Sequence, residues 1–227
     1  DAQYNENQTK NLDKFNSILW SSEVEKEFYF NTGNQTSSLF KPNYKILNYY
    51  ADIERFDIDY SKKIKTTTLD RVLPNNTICD FLKLDVQGSE LEILKGVEEK
   101  LKDELVGLEI EIHFTEIYTE QPLFSEVDTY IRNKYKLNVW DLNSQYFLFK
   151  NISKNNFNNK GRLMWADALY LRSVENIDEW FTKFDEEKAK QKILSLIGVS
   201  ISYGYFDYVY TLLNKKSITN YFSKNEL

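Results

Sequence analysis

The stretch Cys79 to Gly96, CDFLKLDVQGSELEILKG, constrains the fold more than any other part of the chain. It reads as a strand, an acid, a tight turn and a helix. Phe81 to Leu84 is apolar enough for a strand inside a parallel sheet, and Asp85 falls where that strand ends. Gly88 permits the turn. Ser89 and Glu92 have the S-x-x-E spacing of a capping box, in which each side chain reaches an unpaired backbone N–H, so a helix is expected from about Ser89. Its apolar residues Leu91, Leu94, Val97 and Leu101 recur every three or four positions, the stripe that a helix lays on a sheet. Ligands of open α/β sheets collect beyond the carboxyl ends of the strands, which makes Asp85 the first candidate site residue.

The rest of the chain supplies the other elements. Phe15 to Trp20, Glu27 to Asn31 and Lys63 to Thr68 read as strands, and Asp70 to Leu73 as a short helix stopped by Pro74. Leu105 to Phe114 alternates and sends Glu109, Glu111 and His113 to one face. Three ionisable groups on one face must be wet, paired or part of a site. Of these, His113 has the ordinary pKa best suited to proton transfer near pH 7. Phe124 to Tyr135 reads as an amphipathic helix, and Leu137 to Leu142 and Trp165 to Leu171 as the last two strands, bracketing an asparagine-rich hairpin loop. Two further helical stretches, Asp178 to Lys192 and Val199 to Asn214, carry tyrosines at 203, 205, 208 and 210 that read as a packed face. The polar loop NTGNQTSSLFKPN, with Ser37 and Ser38, has the hydroxyls and amides to line a polar site or a solvated turn.

Composition closes off several classes of function. With a net charge of -6, an extended polyphosphate partner is repelled on average, so nucleic acid is set aside. One cysteine, Cys79, excludes an intrachain disulfide framework and suits a buried strand position. No apolar run reaches membrane-spanning length, which makes the cytoplasm the default expectation. At 227 residues the chain is long enough for one sizeable core with an appendage.

The runs LDRVLPNNTICDFLKLDVQGSELEILKG and LEIEIHFTEIYTEQPLFSEVDTYI resemble the core of the FkbM-type methyltransferases, and the likeness extends roughly from Asp1 to Arg172. The resemblance implies an α/β, Rossmann-like, mostly parallel sheet flanked by helices over residues 1–175, with residues 176–227 as a helical C-terminal extension. It also implies S-adenosylmethionine as cofactor and O-methylation of a sugar or other hydroxyl acceptor, small molecule or glycan. Asp1 matches the family's ribose-binding acid, Asp85 a cofactor or catalytic acid, Glu111 and His113 catalytic positions, and Ser37, Ser38 and Tyr118 acceptor-binding positions. One departure stands out: the glycine-rich loop that cradles the methionine part is absent, since the first glycine is Gly33 and no pair has G-x-G spacing. The expectation is a fold truncated at its N-terminus, with that loop on an upstream segment or domain of the same polypeptide. Two other readings stay open: a lapsed or auxiliary module that binds a glycan or a partner protein, and a divalent-ion site made by Asp85, Glu111 and His113.

Overall fold

The computed structural model describes residues 13–75, 77–97, 101–150 and 159–222. Strands β1 (Glu25–Asn31) and β2 (Ile58–Lys65) form an antiparallel two-stranded ribbon. The main sheet holds β3 (Phe81–Leu84), β4 (Gly107–His113), β5 (Asn138–Phe147) and β6 (Arg162–Leu171) in the order β3-β4-β6-β5. β3 and β4 run parallel, with Phe81 opposite Gly107 and Leu84 opposite Ile110. β6 is antiparallel to both of its neighbours.

The chain is α/β as expected, but its main sheet is not mostly parallel. The helix Phe124–Tyr135 carries the chain from β4 to β5 in the same direction, and β6 then returns between them. A hairpin can only return antiparallel, so inserting it beside β4 makes both of its pairings antiparallel. Nor is Phe81 to Leu84 central: among the described strands β3 stands at the sheet edge. Its cover comes from its two faces. Leu82 and Leu84 pack into the main core, while the Tyr203 ring lies 5.7 Å from Phe81 and Lys83 pairs with Glu109. Phe15 to Trp20, expected as a strand, makes a single parallel bridge from Leu19 to Thr67.

Alternation along β4 divides the molecule. Leu108, Ile110 and Ile112 face a core completed by Leu91, Leu94 and Ile131 from the helices Glu90–Lys95 and Phe124–Tyr135. Each such side chain, buried in full, stabilises by about 1.5–3 kcal/mol relative to exposure. Glu109, Glu111 and His113 face the other side. There the segment from Leu47 to Phe56 covers one end of the sheet in a second cluster with Ile117, Tyr118 and Phe147.

The C-terminal helices Ile177–Phe181, Glu186–Ser202, Phe206–Leu213 and Lys216–Thr219 form a third cluster around Val106, Trp180, Leu196 and Tyr208. They are tied to the sheet by a buried cation, Lys192, whose Nζ lies 2.8 Å from both Asp80 Oδ1 and Glu104 Oε2. Trp180 Nε1 donates to the Asp103 carbonyl at 2.7 Å. Of the four tyrosines, Tyr208 is buried and Tyr203 donates to Glu109, while Tyr210 is exposed. No helix among the described residues is long and apolar enough to cross a membrane.

Candidate functional site

β3 ends at Leu84 and delivers Asp85 to the rim of the sheet. Two successive left-handed residues follow, Gln87 at φ 56° and Gly88 at φ 100°. Gly88 adopts this without a Cβ penalty. Gln87 has a side chain and is held there by its bonds. Its carbonyl accepts from Ser38 Oγ at 2.6 Å, and its Nε2 donates to Asp85 Oδ1 at 3.0 Å and to Glu111 Oε1 at 3.1 Å. Its Oε1 lies 3.0 Å from the Tyr118 hydroxyl, which shares its proton with the Thr36 carbonyl at 2.8 Å. One residue thus joins β3, β4 and the polar loop, the first two through its amide and the last through its carbonyl.

The helix after this turn begins at Glu90 with Ser89 at its N-cap position, but the expected capping box does not form. Ser89 has ψ near 4° instead of the extended value a capping side chain needs, and Glu92 is drawn off to Ser21 Oγ and Lys95 Nζ, each at 2.6 Å. Glu90 instead braces the preceding turn, accepting the Val86 N–H at 2.9 Å. Burial pushes the Glu90 carboxyl up to about 7, against the lowering effect of that bond.

Glu111 and His113 sit at the carboxyl end of β4, both buried. The Glu111 carboxyl is pushed up to about 9, first by burial and then by the neighbouring charges of Glu90, Asp85 and Asp167. Burial alone pushes His113 down to about 3. His113 Nε2 stands 3.5 Å from Glu111 Oε1, an ion-pair separation, yet desolvation leaves neither group charged at neutral pH. The ordinary histidine pKa that recommended His113 is therefore lost to burial, and Glu111 is the carboxylate whose pKa is raised.

Two cavities meet at Asp85 and Gln87. The first, about 360 Å³, is walled by Glu111, His113, Tyr118, Trp165, Phe56 and Arg55. The second, about 430 Å³, is walled by Leu19, Phe28, Leu39 and Ile93 with the hydroxyls of Ser37 and Ser89. Both have the size of small-molecule sites, roughly 300–1,000 Å³. The Ser89 Oγ is buried without a hydrogen-bond partner among the described residues.

The structure thus brings Asp85, Glu111, His113 and Tyr118 to one cavity and Ser37 to the adjoining one, where its hydroxyl also accepts the Asn31 N–H at 3.0 Å. Ser38 lines neither and is spent on holding the Gln87 turn. Asp1 lies outside the described residues. Among those residues no group of histidine, cysteine or carboxylate side chains is arranged to hold a metal ion. Residues missed in the sequence are Gln87, Glu90, Arg55 and Trp165. The first two stand inside the run DVQGSE and were legible as its polar members; Arg55 and Trp165 carry no local signal.

A sheet whose parallel pair delivers acids to paired small-molecule cavities defines an α/β protein with a ligand site at the strand ends. The family described as the methyltransferase FkbM domain matches residues 3–138, more than half of the chain. The chain belongs to that family and is a methyltransferase by descent. Neither the curated proteins nor the solved structures compared with it give a match.

Proposed function

We propose that the chain is an S-adenosylmethionine-dependent O-methyltransferase acting on a sugar or other hydroxyl-bearing acceptor, with the cofactor in the second cavity and the acceptor in the first. The observation that carries this reading is the shared wall: Asp85 and Gln87 line both cavities at the carboxyl end of β3. A group transferred from one ligand to the other crosses at that wall.

The second cavity fits the adenosyl part of such a cofactor. Leu19, Leu39, Ile93 and Phe28 offer apolar cover for a flat ring, and the orphaned Ser89 hydroxyl and the Asp85 carboxylate offer partners for ribose hydroxyls. When bound, S-adenosylmethionine supplies an electrophilic methyl group on a sulfonium centre. This chain's residues then have two tasks. The first is alignment, which supplies most of the acceleration in an in-line displacement. Gln87, fixed at both ends of its amide, holds the Asp85 and Glu111 carboxyl groups at set positions in the wall. The second is removal of the acceptor proton. Glu111 is protonated near pH 7 and orients a hydroxyl; as the pH approaches 9 it becomes a carboxylate with the raised basicity that proton abstraction needs. While Glu111 is protonated it donates to the hydroxyl oxygen and neutral His113 accepts the hydroxyl's proton in a hydrogen bond; once Glu111 is ionised, its carboxylate takes that proton instead.

The test is transfer of a labelled methyl group from S-adenosylmethionine to hydroxylated sugars, run beside thermal melts. Asp85 is exposed, and its one hydrogen bond among the described residues, from Gln87, can be accepted by an asparagine. Asp85→Asn is therefore expected to melt like the wild type while losing a charge-assisted contact of about 1.5–3 kcal/mol, roughly tenfold to hundredfold in rate. A lowered melt with unchanged transfer per folded molecule assigns Asp85 to the turn and overturns the reading.

A further inference from the structure

Arg55 is the cation of the first cavity, and the chemistry above leaves it unused. It lies in the single-turn helix Glu54–Phe56, whose backbone is pinned to the polar loop. The Gly33 N–H donates to the Arg55 carbonyl at 2.9 Å, and the Thr36 hydroxyl is within reach of the same oxygen. A Cβ on residue 33 would stand 2.8 Å from Arg55 Cβ, so a glycine is what lets the two segments approach this closely.

The Arg55 guanidinium is held by aromatic faces. Its carbon lies 5.1 Å from the ring of Phe56, 5.1 Å from that of Phe147 and 5.8 Å from that of Trp165. Cation–π contact of this kind anchors the guanidinium at the exposed rim of the cavity and leaves its N–H groups free to donate. Among the described residues no carboxylate lies within ion-pair distance of Arg55. Nor does the cavity wall neutralise it closely: Glu111 and His113 are uncharged at neutral pH, and Asp85, the other charged lining residue, forms no ion pair with it among the described residues.

We infer that the acceptor carries an oxyanion, a carboxylate or a phosphate, which Arg55 grips while the hydroxyl to be methylated lies against Glu111 and His113. The fate of that hydroxyl rests on the methyltransferase reading; the binding of the anion does not. Charge also sets the orientation, because the Asp85 carboxylate, which lines the same cavity, repels an anion and the Arg55 guanidinium attracts it. A guanidinium fork meets the two oxygens of such a group in parallel hydrogen bonds, which a neutral sugar cannot reproduce. At about 360 Å³ the cavity suits a single acidic sugar unit.

The experiment is equilibrium binding of D-galacturonate, D-galactose 6-phosphate and D-galactose, without cofactor, to the wild type, Arg55→Met and Arg55→Lys. One acidic sugar is expected to bind at least roughly tenfold tighter than galactose. Galacturonate ahead assigns a carboxylate, and the phosphate ester ahead assigns a phosphate. Arg55→Met should abolish the preference, and Arg55→Lys should keep part of it, with unchanged melting in both variants. Equal binding of all three sugars, binding of none, or a preference that survives Arg55→Met overturns the proposal. Failure of methyl transfer alone, with the preference intact, counts against the proposed reaction and leaves the anion site standing.

Discussion

The Tyr118 hydroxyl stands 3.0 Å from the Gln87 side-chain oxygen, in a part of the interior where Tyr118 has no exposed surface. That contact fixes which way the Gln87 amide points. With its oxygen toward Tyr118, its nitrogen faces the Asp85 and Glu111 carboxyl groups. Tyr118→Phe keeps the ring packing against Phe56 but removes the proton that orients the amide. The expected cost in stability is about 1–2 kcal/mol, since the buried Thr36 carbonyl and the partly buried Gln87 oxygen lose their donor. Methyl transfer should fall more than the melt suggests, with the loss in kcat instead of KM. A lowered melt with kcat per folded molecule unchanged would show that Tyr118 only packs.

Gly88→Ala tests the turn itself. There is ordinary room for a methyl group, with nearest neighbours at 3.5–3.6 Å, so the cost comes from the φ of 100°. A positive φ costs an alanine about 1–2 kcal/mol. In a chain of this length that lowers Tm by roughly 2–8 °C. A melt unchanged within error would mean the turn is not held in this conformation.

Stability should pass through a broad optimum as pH is varied. His113 is pushed down to about 3, so between there and its ordinary value the unfolded chain binds more protons, and stability is lost as the pH falls through that window. Glu111 is pushed up to about 9, so above its ordinary value the folded chain binds the extra proton, and stability is lost as the pH rises toward 9. Glu90, pushed up to about 7, adds to the second loss at lower pH. One proton contributes a slope of at most about 1.4 kcal/mol per pH unit. Urea titrations of the wild type should therefore show falling stability between pH 7 and 9, and Glu111→Gln should flatten that limb. A limb of equal slope in the variant would remove Glu111 as its source.

Lys192 offers a prediction about the C-terminal helices. It is one per cent exposed and lies between two acids on the segments that lead into β3 and β4, which are themselves partly wet. Lys192→Met leaves those acids able to hydrate, so the cost should fall short of the roughly 3–5 kcal/mol for breaking a fully buried pair. Hydrogen exchange should speed up across residues 186–213 while β4 keeps its protection. Uniform acceleration across both would mean that the helices and the sheet open together.

How much of this could be read beforehand differs from element to element. The helix Phe124–Tyr135 and the alternation of Glu109, Glu111 and His113 were legible because a local period encodes them. Asp85 was legible because an acid between an apolar strand and a glycine turn has few other places to be. The antiparallel return of β6 was not read, since strand order depends on which edge of β4 is taken, and no local pattern states that. The perturbed protonation of Glu111 and His113 was equally out of reach: besides the nearby Tyr118, it arises from cover by Trp165 and the segment around Phe56, both distant in sequence. Arg55 is the clearest case. Its neighbours Phe147 and Trp165 come from β5 and β6, and nothing near residue 55 announces them.

The place of β6 between β4 and β5 also fixes the order in which the site can come into being. The wall that holds Asp85, Gln87 and Glu111 is complete in sequence well before β6 is synthesised, yet His113 pairs with Trp165, and Trp165 closes the cavity beside Arg55. A nascent chain that has emerged only through β5 leaves one edge of β4 unpaired and its acids open to water. On the proposed function, acceptor binding becomes possible only after residue 171, and the last strand of the sheet is the latch on a pocket whose acidic wall was laid down first.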